Sequence, residues 1–155
     1  MCGPEVTNRP RGGALAALAA PRHEADSRPG RFIRADLAFH TPGQPGSTKA
    51  THARLTPGRE CSLEDVGELH VVIHSSGDLT KSAHDCGLFR QFVLHASGLS
   101  HPYMELPLSS PLSLEVGNSG IIGRRVSVSS RSDSGPDVII AEGIVGFNFL
   151  EQTSL

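Results

Sequence analysis

The sequence predicts an all-β fold, and three observations point to it. The 155 residues contain 17 Gly and 11 Pro, which punctuate the chain at short intervals. Apolar residues make up 37% of the chain and fall in short runs rich in β-branched residues. Turn residues bound about eight of these runs, which is typical of a Greek-key β-barrel or sandwich of antiparallel strands.

The predicted strands follow one another at short spacing. The clearest contains Val71, Val72 and Ile73 at its centre. The run after Phe89 also fits one face of a helix, but it is short and lies between Gly87 and Gly98, which favours a strand. In chain order the strands cover residues 32–39, 48–55, 68–74, 89–95, 103–106, 112–116, 121–129 and 138–149.

The chain is expected to hold one domain and one tail. Residues 1–30 are rich in Arg, Pro, Gly and Ala and predict a mobile tail, although one degenerate strand within it stays open. The apolar stretch 14–20 is too short, and its flanks are wrong, for a secretory signal. Residues 31–155 are expected to form the barrel.

The net charge and the cysteine content limit the partners and the cellular compartment that the sequence predicts. A net charge of −2 gives no indication of nucleic-acid binding, and no apolar run is long enough to predict membrane insertion. The three Cys form no CxxC pair, so free thiols in a reducing, cytoplasmic compartment are the simplest expectation.

Histidines are the candidates for chemistry. On a strand, His70 and His74 share a face, but four residues at about 3.3 Å each place them roughly 13 Å apart, too far for one metal. Val72, which lies between them, cannot bind a metal. His84 follows in a loop, beside Cys86, so a rebuilt metal or thiol site around His74 and His84 remains an alternative. Scattered strand and loop histidines are the favoured interpretation.

Three segments, in order, resemble the copper/zinc superoxide dismutase family. The first combines LTPG at residues 55–58 with GELHVVIHSSGDLT at 67–80, similar to the family's turn, copper-binding strand and Gly-Asp-x-Thr loop. The second is SGIIGRRVSV at 119–128, and the third is AEGIVG at 141–146. The resemblance spans residues 30 to 150, with an insertion at 59–66, and implies a Greek-key barrel.

The resemblance also implies that the metal site is lost. Of the copper-ligand positions only His74 is retained, and the zinc loop is essentially absent. The other family positions carry residues that cannot do the chemistry: ligands fall on Val72, Phe89 and Ser129, the guiding Arg on Ile139, and the disulfide cysteines on Ala83 and Glu142. No enzyme activity, cofactor or metal is therefore expected.

This pattern of loss resembles the poxvirus superoxide-dismutase-like proteins. That resemblance implies a non-enzymatic protein of the virion and host cytoplasm. Its expected partners are itself, as a homodimer, and the host copper chaperone or a superoxide dismutase subunit. The implied dimer-type interface consists of Gly77, Asp78, Leu79, Thr80, Ile122, Gly123, Arg124, Ile144, Val145, Gly146 and Phe147.

Overall fold

A computed structural model describes residues 12–21, 33–58, 68–95, 103–117, 119–130 and 138–148. These residues form nine strands and one short 3-10 helix, Ala83–Cys86, with no α-helix in the described ranges. The strands are β1 Ala14–Leu18, β2 Ala35–His40, β3 Lys49–Pro57, β4 Glu68–Ile73, β5 Arg90–His95, β6 Met104–Val116, β7 Gly120–Ile122, β8 Arg125–Ser130 and β9 Val138–Phe147.

The strands form a single curled sheet. Its order is β5-β4-β8-β9-β1-β2-β3-β6-β7, and every pair is antiparallel except β6 with β7. The sheet curls so far that Phe39 on β2 meets Phe92 on β5 edge to face, with ring centroids 6.2 Å apart. The all-β prediction is confirmed, as a mixed sheet of half-barrel shape.

The concave face of the sheet carries the core. Strand β4 illustrates why: Leu69, Val71 and Ile73 are fully buried, while His70 and Val72 on the other face are half-buried. The same alternation places Val126 and Val128 of β8 in the core and Ser127 on the opposite face of the sheet, where it is also buried. Small, branched and aromatic side chains from β1 to β9 join in one apolar cluster.

The strand that stayed open within the expected tail over residues 1–30 is present as β1. Residues 14–18 form a strand that pairs with both β2 and β9. Ala14 and Ala16 are fully buried, because alternate residues of this strand face the core. Residues 1–11 and 22–32 lie outside the described residues.

Three predictions need correction. Residues 104–116 form one strand despite Pro107 and Pro111, because its register against β3 shifts between His52 and Ala50 and takes up the extra residues. Residues 121–129 form two strands, since Gly123 turns the chain at φ +90°. The sheet is also not wholly antiparallel, because β7 runs parallel to β6. The insertion expected at 59–66 lies outside the described residues.

In the described ranges, no helix combines the length and apolar character needed to cross a bilayer.

Candidate functional site

The three segments of the expected interface lie side by side. A Cβ on Gly77 would stand 2.1 Å from the carbonyl oxygen of Gly123, so these two backbones touch. The Gly123 amide donates to the Val145 carbonyl at 2.8 Å, and the Val145 amide donates to the Arg124 carbonyl at 3.0 Å. Residues 77–80, 122–124 and 144–147 therefore lie together in one patch, called here the candidate face, although the side chain of Val145 is buried in the core and only its backbone belongs to the patch.

The Arg124 side chain stabilises this surface through contacts with the backbone around it. Its guanidinium donates to three backbone carbonyls, those of Gly120 at 2.7 Å, Ser75 at 2.8 Å and Gly117 at 3.0 Å. The same group lies over the Phe89 ring, 3.9 Å from its centroid. Its charge is therefore directed into the chain's own loops, and Arg124 fixes the shape of the face.

Two exposed apolar side chains lie at the candidate face, Val116 beside it and Phe147 within it. Val116, opposite Ile122 in the β6–β7 pair, is 72% exposed, and Phe147 at the end of β9 is 48% exposed. Phe147 also lines a shallow groove with Leu114 and Pro45. Large apolar side chains this accessible are suited to contact with another molecule.

The loop that opens the candidate face is held in a tight turn by Asp78. Its carboxylate accepts hydrogen bonds from the Thr80 amide at 2.8 Å and the Thr80 hydroxyl at 2.5 Å. These bonds lower the pKa of Asp78 below its ordinary value. The Gly-Asp-x-Thr motif thus has a local structural reason, since an ionised Asp78 fixes the turn.

His74, the one retained ligand position, is engaged through both ring nitrogens. Its Nδ1 lies 2.8 Å from the carbonyl oxygen of Gly87, and its Nε2 lies 2.8 Å from the hydroxyl oxygen of Ser127. A neutral ring that donates from Nδ1 and accepts at Nε2 satisfies both contacts. The side chain is 6% exposed, so His74 joins the end of β4 to a loop and to β8.

The other residues considered as metal ligands lie in the sheet or in a loop. Val72 pairs with Gln91 and Ser127, and Ser129 pairs with His70 and Ile139. His84 is exposed on the short 3-10 helix. The part of the chain that the structure describes contains no group of three or more His, Cys, Asp or Glu side chains placed to hold a metal ion.

Sequence reasoning missed a buried ionic cluster behind the candidate face. Arg125 is fully buried, and its Nη2 donates to the carboxylate of Glu142 at 2.5 Å. Its Nη1 donates to the carbonyls of Lys81 at 2.7 Å and Asp78 at 3.2 Å, and contacts the sulfur of Cys86 at 3.4 Å. Burial, the largest single influence, would lower the pKa of Arg125, but the charge and hydrogen bond of Glu142 together with the contact to Cys86 outweigh it and raise the pKa.

This cluster joins two segments that the resemblance would join by a disulfide. One implied cysteine position, Ala83, is buried in the short helix, and the other, Glu142, is the carboxylate that pairs with Arg125. The signal in the sequence was the Arg124-Arg125 pair at the start of an apolar strand together with Glu142 in another apolar strand. Only the strand register reveals that the two charges meet.

A second polar cluster lies on the other half of the sheet. His40, 4% exposed, places its Nε2 at 3.1 Å from a Glu105 carboxylate oxygen, which also accepts from Arg54 Nε at 2.8 Å. The Arg54 guanidinium lies over the Tyr103 ring at 4.0 Å. This cluster shares no residue with the candidate face.

The chain matches no protein-family model, and no curated protein is significantly similar to it in sequence. The likeness to the dismutase family therefore rests on the three motifs quoted above.

Proposed function

We propose that this chain is a non-enzymatic superoxide-dismutase-like protein of the poxvirus type, which acts in the virion and the host cytoplasm by binding a protein partner. The partner is a second copy of the chain, the host copper chaperone or a host dismutase subunit. The observation that carries the proposal is the candidate face, where three segments distant in sequence meet, with the exposed side chains of Phe147 within it and Val116 beside it.

The strand order supports a Greek-key barrel for this protein. Strands β3 and β6 are neighbours although β4 and β5 come between them in the chain. The β4–β5 hairpin instead lies at the opposite edge, beside β8. Long connections that return a strand to an earlier neighbour define the Greek key.

Pairing by two-fold symmetry is the simplest use of the candidate face. In such a dimer both copies use the same surface, so a residue at the centre of the interface contacts the same residue and its neighbours in the partner. Gly146 has the open space this requires, because the nearest atom to an added Cβ is the Leu15 carbonyl oxygen at 4.0 Å. The glycine therefore permits close approach of a partner without being needed for the fold.

The residues at the implied metal positions support a non-enzymatic role. A copper site needs several nitrogen ligands around one ion, and the expected positions carry Val72, Phe89 and Ser129. The alternative, a rebuilt site around His74, His84 and Cys86, would need one ring nitrogen of His74 to leave its present partner, either Gly87 or Ser127. The loss of a hydrogen bond in a buried setting opposes that exchange.

We expect no superoxide dismutation above background, with or without copper loading. The side chains of Val72, Phe89 and Ser129 supply no nitrogen ligands, and Ile139 supplies no guiding cation. The measurement is a superoxide-consumption assay on the purified chain, with the His74→Ala variant alongside. Copper-dependent activity that disappears in that variant would establish the rebuilt site instead.

Gly146→Arg tests the candidate face directly. A charged side chain at the centre of a dry interface should weaken pairing about 30-fold or more, since an unpaired buried charge costs at least about 2 kcal/mol. Thr56→Arg, which adds the same charge to half-exposed β3 away from this face, is the matched control. Sedimentation equilibrium measures self-association, and a pull-down measures capture of purified copper chaperone or dismutase subunit.

Both variants should keep the circular dichroism spectrum of the parent, because neither position is in the core. If the parent chain is monomeric at micromolar concentration and captures neither probe, the proposed function is wrong. Equal weakening by Thr56→Arg would place the interface elsewhere.

A further inference from the structure

Residues 75–88, called here the anchored loop, close on themselves at the base. The Ser76 amide donates to the Cys86 carbonyl at 3.0 Å, and the Phe89 amide donates to the Ile73 carbonyl at 2.8 Å. The first half of this loop supplies residues 77–80 of the candidate face. Whatever fixes the interior of the loop therefore fixes part of that face.

The interior of the loop holds little apolar surface. Only Ala83 and Cys86 are buried among its side chains. Small domains and loops ordinarily offset ordering entropy with apolar burial, and two small side chains supply little of it. Some other interaction must keep this loop in place.

Arg124 and His74 bond to the ends of the loop, at Ser75 and Gly87, and the Arg125 side chain supplies bonds to its interior. Its Nη1 bridges the Asp78 and Lys81 carbonyls, which lie on the first half of the loop, and the Cys86 sulfur on the second half. The main chain of Arg125 is also bonded to the base of the loop, since its amide donates to the Ser76 carbonyl at 3.2 Å. One residue of β8 thus contacts both halves of the loop.

The carboxylate of Glu142 offsets the cost of burying the Arg125 guanidinium. A buried guanidinium without an opposite charge is strongly unfavourable, and Glu142, 4% exposed on β9, neutralises it at 2.5 Å. Hydrogen bonds from charged donors are also about twice as strong as neutral ones. The ion pair therefore holds the loop to β8 and β9 through charge-assisted bonds.

We propose that Arg125 is the positioning residue of the candidate face: held by Glu142, it fixes residues 77–80 so that the face is presented ready-made to a partner. The anchoring itself stands on the contacts above, whereas its effect on a partner rests on the proposed function. The bonds of Arg125 to the anchored loop involve neither a bound metal nor a disulfide, so a chelator or a reductant should leave them intact.

Trypsin cleavage after Lys81 reports the state of the loop. The Lys81 side chain is exposed, but its carbonyl, part of the bond to be cut, accepts from Arg125. Cleavage there requires the loop to leave Arg125, so its rate measures opening. Mass spectrometry distinguishes this cut from cuts at other basic residues.

Two variants remove the bonds of Arg125 to the anchored loop in different ways. Arg125→Met with Glu142→Leu deletes both charges, which avoids the unpaired buried charge that either single change leaves. Arg125→Lys keeps a cation for Glu142 but cannot span the loop acceptors with one ammonium group. The matched control is Arg54→Met with Glu105→Leu, which deletes the half-exposed ion pair on the other half of the sheet.

We expect cleavage after Lys81 to rise about ten-fold or more in both Arg125 variants, with unchanged far-ultraviolet circular dichroism, and to stay at the parent rate in the control. Self-association, or capture of purified copper chaperone or dismutase subunit, should weaken in the same two variants.

If the double variant fails to fold, the cleavage rate of Arg125→Lys tests the proposal. Parent-like cleavage in Arg125→Lys, or equal acceleration in the control, would overturn the proposal. A parent protein that resists cleavage but binds no partner would refute the proposed function alone.

Discussion

At the scale of single residues, burial sets the direction of the pKa shift of one ionisable side chain. The side chain is that of His40, at the end of β2. Burial is the main cause that lowers its pKa, the charges of Arg54 and His52 act in the same direction, and Glu105 opposes them. The folded protein therefore favours neutral His40.

The sign of the pH effect follows from that direction. The unfolded chain carries His40 at an ordinary pKa of about 6.5 and binds a proton below it, whereas the folded protein resists protonation. The stability from neutral His40 is thus complete above about pH 6.5 and is lost as the pH falls below it. Burial would raise the pKa of Glu105, but hydrogen bonds from Arg54 and His40 lower it, so a second loss follows at more acidic pH.

We expect His40→Gln to flatten the fall in stability between about pH 7 and pH 5, because glutamine still donates to Glu105 and does not titrate. Urea midpoints across this range, followed by circular dichroism, measure the effect. His84→Gln, an exposed substitution, is the control and should keep the parent profile. A parent-like profile in His40→Gln would show that His40 does not set the acid sensitivity.

At the scale of elements, the sequence was informative where the pattern was local. The Val71-Val72-Ile73 run predicts β4, and the structure confirms it. The segments of the candidate face could be located because their motifs are contiguous. The division of residues 121–129 could not, since a glycine at φ +90° looks in sequence like any other glycine in a strand.

Other elements depend on partners far along the chain. The stretch ALAAL of β1 lacks β-branched residues, and its strand conformation comes from pairing on both sides. The bonds of Arg125 to Glu142 and to the anchored loop need three separate segments at once. No periodicity in one segment encodes such a contact, which is why the sequence alone predicted the surface but not its support.

At the scale of the whole molecule, β1 joins the two halves of the sheet. It is the central strand of nine, with β9 on one side and β2 on the other. In the order of paired strands, β5, β4, β8 and β9 connect to the remaining strands through it, and side-chain contacts such as Phe39 with Phe92 also cross between the halves. The candidate face includes the end of β9, where Phe147 pairs with Ala14, so its support also depends on β1.

The alternation along β1 supplies a matched pair of substitutions. Ala16 is fully buried in the core cluster, whereas Ala17 is exposed on the other face. Ala16→Lys buries a charge without a partner and should cost about 4 kcal/mol or more, a large part of the roughly 5–15 kcal/mol by which domains are ordinarily stable. Ala17→Lys, opposite Asp36 in the β1–β2 pair, should change stability by no more than about 0.5 kcal/mol.

The measurement is urea unfolding followed by far-ultraviolet circular dichroism, with sedimentation to follow pairing. Because β1 bonds to both halves, we expect Ala16→Lys to lose the whole sheet in one transition, together with any pairing, instead of releasing one half. If Ala16→Lys and Ala17→Lys unfold at the same midpoint as the parent, β1 is not docked. Residues 14–18 would then belong to a tail, and the sheet would have to hold together through other contacts.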